Sequence, residues 1–318
     1  MSSDRRLNER PLLTKVCDSV EDFSPEPDSS YILARSGEFR SAHSESWEEA
    51  ARAINVRFCR VTSFGPSGFT IELNGRVEEV ALRSSRQLSR LWQACGSGTV
   101  YLDITGLPHH VWAPLLRVGI ASCNRLLVTY VEPRDYRFSQ TPTEGEIFDL
   151  SEKISGVAAI PGFATLTDEG DDHFCFIPLL GFEGTRLAYI LEHVQPPGER
   201  IVPVVGVPGF QPEYPFYAYL GNRSALTETH AWRNVRLAIA NCPFSLFYLL
   251  EDIAAEYPGD SLKIAPIGTK PHALGAILFA VSSTRSVEIV YDHPIRKSSR
   301  TEGIARLLAY DVSGFVVR

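Results

Sequence analysis

Ser261–Ala280 reads SLKIAPIGTKPHALGAILFA, which joins an apolar run, a glycine turn, one lysine and a second apolar run in a single short stretch. Leu262, Ile264 and Ile267 suit a buried strand, Gly268 and Pro271 punctuate it, and Ala273–Ala280 supplies the apolar side chains of a helix packed on a sheet. The stretch predicts strand, turn and helix in succession. In an open α/β sheet, ligands sit outside the carboxyl ends of the strands, where turn N–H groups and the start of the next helix face anions. Gly268, Thr269 and Lys270 are therefore candidate ligand-binding residues, the threonine hydroxyl and lysine ammonium being suited to phosphate oxygens. The plain alternative is a solvated lysine in an ordinary strand-to-helix turn.

Working outward, the pattern recurs. Val100–Pro133, VYLDITGLPHHVWAPLLRVGIASCNRLLVTYVEP, parallels Leu262–Pro294, LKIAPIGTKPHALGAILFAVSSTRSVEIVYDHP. Both run strand, glycine turn, Pro-His, apolar helix, polar link, then a strand ending in Tyr, an acidic residue and Pro. Two units of one type can build two related halves, although chance convergence of α/β units produces matches of this length too. In the first copy Pro114 has to lie in the first helical turn to be tolerated.

Upstream of the first copy, Ser44–Ile54 predicts a helix with Ser44 or Ser46 as cap. Val56–Val61, Phe69–Leu73 and Val77–Leu82 predict a β-meander, with Asn74-Gly75 as a hairpin signal. Asp135–Asp171 is rich in Pro, Gly and acids and serves as the connector between halves. Phe174–Leu180, then GFEG at Gly181–Gly184, then TRLAYILEHV repeat the strand-turn-helix pattern, so Gly181, Gly184 and Arg186 join the candidate ligand-binding set, with Gly106 from the first copy. Ile201–Val207 and Leu237–Ala240 are further strands, and Phe210–Tyr219 lies in a Pro/Gly/aromatic segment that suits a loop over the sheet edge. Ser245 caps a helix, and Val287–Tyr291 and Leu307–Val312 finish the second sheet.

The predicted fold class is α/β, two Rossmann-like halves with mostly parallel sheets and a β-meander in the first half. Residues 1–30 are a mobile tail, 31–145 the first half and 146–318 the second.

The 318 residues allow two domains, and 44% hydrophobic with 22% charged residues describe a globular chain. Acids outnumber bases, 38 to 31, so the net charge of −7 supplies no footprint for duplex nucleic acid or anionic lipid. The six cysteines show no paired spacing, no apolar run reaches the ~20 residues of a membrane span, and the first segment lacks a secretory apolar core. A cytoplasmic location and no membrane association are expected.

The glycine turns at Gly106, Gly181–Gly184, Gly206–Gly209 and Gly268 match neither the P-loop nor the full dinucleotide fingerprint, so no cofactor is named. The eight histidines are scattered, which names no metal. A nucleotide-directed hydrolase or transferase would use Asp292, His293 or Asp103 as acid/base groups. A non-catalytic assembly subunit would use Phe210–Tyr219 to bind a protein.

IGTKPHALG resembles the Gly-Thr-Lys turn of CARF sensors, Rossmann-like domains of antiviral systems that bind cyclic oligonucleotides, and of the related two-unit SAVED domains. The resemblance covers about ten residues directly. It implies ligand contact at Gly268, Thr269 and Lys270, a nucleotide-like phosphate ligand, a role in antiviral defence and a separate effector protein as partner. The sequence departs from the pattern in having one glycine before Thr269 and no lysine near Gly106–Pro108.

Overall fold

The computed structural model describes residues 13–143, 146–165, 173–298 and 300–316. The chain clusters into two compact units, one built from the chain up to Tyr136 and again from Thr301, the other from Arg137–Arg300. The first unit contains β1 (Thr14–Cys17), β2 (Ser30–Ala34), α1 (Glu45–Ala53), β3 (Arg57–Phe64), β4 (Gly68–Leu73), β5 (Arg76–Ala81), α2 (Ser85–Ala94), β6 (Thr99–Asp103), α3 (His109–Ser122) and β7 (Arg125–Tyr136). The second contains β8 (Phe138–Thr143), β9 (Glu146–Phe148), β10 (Ser151–Ile154), β11 (Ala158–Ala159), β12 (Phe174–Leu179), α4 (Gly184–Val194), β13 (Val204–Gly206), α5 (Tyr214–Glu228), β14 (Arg236–Ala238), α6 (Pro243–Glu256), β15 (Ser261–Pro266), α7 (Lys270–Ser282), β16 (Val287–Tyr291) and β17 (Pro294–Arg296). The chain then returns to the first unit as β18 (Thr301–Asp311) and α8 (Val312–Phe315).

The protein is a mixed α/β structure. The sheet of the first unit runs β1-β18-β7-β6-β2-β3-β4-β5. Only its centre is parallel, at β7–β6, β6–β2 and β2–β3, and both flanks are antiparallel. The expectation of mostly parallel pairing therefore fails for this sheet. One flank is the predicted β-meander, closed at Asn74-Gly75 with φ of 51° and 73°, the left-handed pair that a tight hairpin requires. The other flank corrects the placement of Leu307–Val312. β18 joins the first sheet, not the second, pairing with β7 from Thr301↔Tyr136 to Asp311↔Leu127 with a register shift between Ile304 and Leu307, and buries Leu307–Tyr310. Apolar patterning identifies a strand without naming its sheet.

Residues 1–12 of the expected tail lie outside the described residues. The rest of that stretch is built into the fold: β1 pairs with β18, and Val20 and Phe23 are buried with Trp47, Tyr31 and Tyr101. Ser44 caps α1 by accepting from the Trp47 N–H, as its position predicts.

The sheet of the second unit runs β11-β16-β15-β12-β13-β14, parallel throughout except for β11. Numbering its parallel strands in chain order gives 3-2-1-4-5 from β14 to β16. β12 is buried along its whole length, and Lys270–Phe279 of α7 is buried all round, the pattern of a sheet covered on both faces. The stretch assigned to a loop after Gly209 instead enters α5 at Tyr214, with Pro215 in the first turn where its missing N–H costs nothing. In the first unit α3 starts at His109, so Pro114 falls beyond the first turn rather than within it. The connector is not bare: it contains β8 to β11, with β10 pairing to β17.

Both units close the ends of two neighbouring parallel strands in one way. After β6, a Cβ on Gly106 would lie 1.9 Å from the Ala34 carbonyl oxygen at the end of β2. After β15, a Cβ on Gly268 would lie 2.5 Å from the Leu180 oxygen beyond β12, and one on Gly181 would lie 2.5 Å from the Ile267 oxygen. Backbone cannot yield as a flexible side chain does. Gly106→Ala is expected to cost about 3 kcal/mol in urea unfolding, whereas Gly65→Ala, whose Cβ meets nothing within 4 Å, stays near neutral.

Candidate functional site

The order of the second sheet reverses between β12 and β15, since β12 leads to β13 on one side while β15 and β16 lie on the other. This is the position at which open α/β sheets hold ligands. Gly181 and Gly268 meet there through the contacts given above.

Thr269 is the N-cap of α7. Its hydroxyl accepts from the His272 N–H at 3.2 Å and donates to the Ala240 carbonyl at 2.7 Å. A hydroxyl engaged in this way holds the turn to the loop after β14. Lys270 is the first helical residue, 5% exposed and not without partners in the fold. His272 sets Nε2 3.1 Å from the Ile239 carbonyl, so that nitrogen carries the proton. Burial pushes its pKa down to about 4, against the opposing pull of the backbone carbonyls. Thr269 and the neutral His272 thus anchor the start of α7 on the Ile239–Ala240 segment.

Arg186 and Gly184 are placed by α4. Arg186 donates from Nε and Nη2 to both carboxylate oxygens of Asp292, each at 2.7 Å, and from Nη1 to the Ile267 carbonyl at 3.1 Å. It lies 5.8 Å from the centre of the Tyr291 ring. Burial opposes its charge, yet the Asp292 carboxylate overrides this and raises its pKa. Such a bidentate, buried pair is a closed unit, and Arg186 is no spare cation for phosphate. Asp292, for its part, is bound to a guanidinium and fully buried, which removes it as an acid/base group. Gly184 has a packing role: its Cβ would lie 1.8 Å from the Gly221 oxygen of α5.

Two cavities flank α4. One of about 530 Å³ is lined by Phe148, Asp149, Lys153, Glu183, Arg186 and Tyr189. The other, about 450 Å³ between α4 and α5, is lined by Gly184, Thr185, Leu191, Gly221, Ala225 and Glu228. Gly268, Thr269 and Lys270 line neither. In the first cavity Glu183 is already committed, accepting from the Leu150 N–H and the Ser151 hydroxyl.

Gly106 lies in the first unit, at the end of β6. There a second buried arginine parallels Arg186. Arg40 donates from Nε to Glu38 at 2.7 Å and from Nη1 to the Val131 carbonyl, and sits 5.2 Å from the Tyr130 ring. Tyr130 and Tyr291 hold the same place in the two sequence copies. Asp103, named as an acid/base candidate, is 3.1 Å from His43 Nε2 and accepts from the Thr105 N–H. Both side chains of this pair are buried, so it holds the strand end rather than reaching a substrate.

Asn222 is a residue that sequence reasoning missed. Its Nδ2 donates to the Gly181 and Ala218 carbonyls at 2.8 Å each, tying the glycine turn to α5. An asparagine inside an aromatic-rich segment gave no signal of this. His293 adopts φ of 44° and lies outside extended backbone. All six cysteines are free and buried. Among the described residues no group of three or more His, Cys, Asp or Glu is placed to hold a metal, and no helix is long and apolar enough to cross a membrane. No protein-family model matches this chain, and no curated protein matches it.

His272 gives the site a pH signature. Its folded pKa, about 4, is below the 6.5 of the unfolded chain, so its contribution to stability is complete above pH 6.5 and falls as the pH drops toward 4. Urea unfolding across this range should show a loss of about 3 kcal/mol. His272→Gln, which keeps a donor for the Ile239 carbonyl, should flatten that part of the curve.

Proposed function

We propose that the protein is a non-catalytic binding or sensing protein of two Rossmann-like units that takes a nucleotide-like phosphate ligand at the carboxyl ends of β12 and β15. The observation behind this reading is the reversal of parallel strand order at Gly181 and Gly268, with the start of α7 and Lys270 beside it. Binding is favoured over turnover because two of the three acid/base candidates are held in buried contacts: Asp292 by Arg186 and Asp103 by His43. Lys270 supplies the positive charge and α7 the N–H groups. The resemblance of IGTKPHALG to CARF and SAVED turns supports cyclic oligonucleotides as the first ligands to test and antiviral defence, with a separate effector, as the setting. Calorimetry of the full chain against linear and cyclic oligonucleotides should show saturable binding, weakened about tenfold or more in Lys270→Ala. No binding, or binding unchanged in that variant, overturns the assignment.

A second reading is an assembly subunit. α5 exposes Phe216, Tyr219 and Leu220 at helical spacing, with Phe216 75% exposed. A stoichiometric protein partner should then co-purify with the wild-type chain and be lost in the Phe216→Ser, Leu220→Ser double variant. Retention of the partner by that variant removes this surface from consideration.

A further inference from the structure

We infer that Arg35, Arg52 and Arg60, gathered around Glu48 on the first unit, form a binding site for a dianionic oxyanion of the phosphate monoester type. The inference concerns a different unit from the strand ends of β12 and β15 and does not rest on the reading given for them.

Glu48 of α1 is buried, and three guanidinium groups converge on it. Its Oε2 accepts from Nη2 of Arg52 at 2.7 Å and from Nη2 of Arg60, while Oε1 accepts from Nη2 of Arg35 at 3.4 Å. The guanidinium carbons of Arg52 and Arg60 each lie 5.2 Å from the centre of the Phe58 ring. One carboxylate and one aromatic ring thereby hold cations that would otherwise sweep through solvent. The heads remain accessible: the side chains of Arg35, Arg52 and Arg60 are 61%, 47% and 30% exposed.

The charges do not balance internally. With Glu72, the Cα partner of Arg60 on β4, and with Asp28 and Arg57, which line a cavity with Arg52, four arginines stand against three carboxylates. Neutralising Glu48 needs fewer than three arginines, so a salt-bridge role alone does not account for Arg35. Each guanidinium presents five N–H groups in a planar fork that matches phosphate oxygens, and each of these bonds to Glu48 uses one of them. The chain as a whole is acidic, so an anion reaching this site is recognised by short-range donors rather than drawn by a general field.

Position agrees with the chemistry. Arg35 directly follows β2, and Arg60 lies on the neighbouring strand opposite Leu33. β2 is the strand from which the parallel order of the first sheet reverses, with β3 on one side and β6 on the other. Arg35 lies at the carboxyl end of that strand, the ligand-holding end of an open α/β sheet, while Arg52 lines a cavity with Asp28 and Arg57 toward the amino ends of β2 and β3.

The test titrates the full chain by calorimetry at low salt with inorganic phosphate and, separately, with a nucleoside 5′-monophosphate, using chloride at equal ionic strength as the control. Saturable binding of at least one is expected, and tighter binding of the nucleotide marks a phosphomonoester rather than free phosphate as the occupant. Arg35→Ala, at an exposed position, should keep the wild-type melting curve and bind about tenfold more weakly. Arg35→Lys, which keeps the charge and loses the fork, should fall between the two. In the Lys270→Ala background, where the second unit's proposed site is disabled, adding Arg35→Ala should still weaken phosphate binding by about tenfold, which separates this site from the second unit. Failure of both probes to bind saturably, or equal affinity in wild type and Arg35→Ala, overturns the inference.

Discussion

A glycine pressed against a neighbouring strand's terminal carbonyl is the contact on which both units depend. Gly106 meets Ala34 in the first, and Gly268 meets Leu180 in the second. A side chain at either position would push apart two parallel strands at their carboxyl ends and loosen the register of the helices that follow. The same contact limits what the strand ends can do. It places backbone against backbone between the two strand ends.

Behind each glycine contact lies a buried arginine over a tyrosine. Arg40 with Tyr130 and Arg186 with Tyr291 occupy matching places, and each has a carboxylate, from Glu38 or Asp292. The two differ in where the acid originates. Glu38 is two residues from Arg40, whereas Asp292 is distant in sequence from Arg186 and lies just beyond β16. Removing a single partner of such a pair strands a charge in low dielectric, so each pair joins the segments that supply it. In the second unit this links α4 to the end of β16.

Local features of this fold were legible in the sequence. Ser44 as a cap, Asn74-Gly75 as a hairpin and the paired strand-turn-helix stretches all arise from interactions within a few residues. What escaped depends on distant partners. Leu307–Val312 is apolar and strand-like wherever it pairs, and only the burial gained against β7 assigns it to the first sheet. Tyr214–Glu228 has its aromatic residues on several faces, so helical spacing does not stand out. At the candidate site the residue types of Gly268, Thr269 and Lys270 suit phosphate, but Thr269 is equally suited to capping, and that is the bond the fold makes. Arg186 reads as a candidate ligand cation within its own stretch, because its partner Asp292 lies far along the chain.

The second unit leaves the first after Tyr136 and returns at Thr301, two residues that are Cα partners in one antiparallel ladder. Arg137 and Arg300 continue the pairing with a backbone hydrogen bond of 3.0 Å. An entire sheet with its helices is therefore spliced into a single β-hairpin, in the place of a short turn. During synthesis β7 waits for β18 until all of Arg137–Arg300 has emerged, so the ladder between them closes after the intervening unit is available to fold. Early closure of the second unit would bring the two hairpin arms together and shorten the loop whose entropy the first sheet has to overcome.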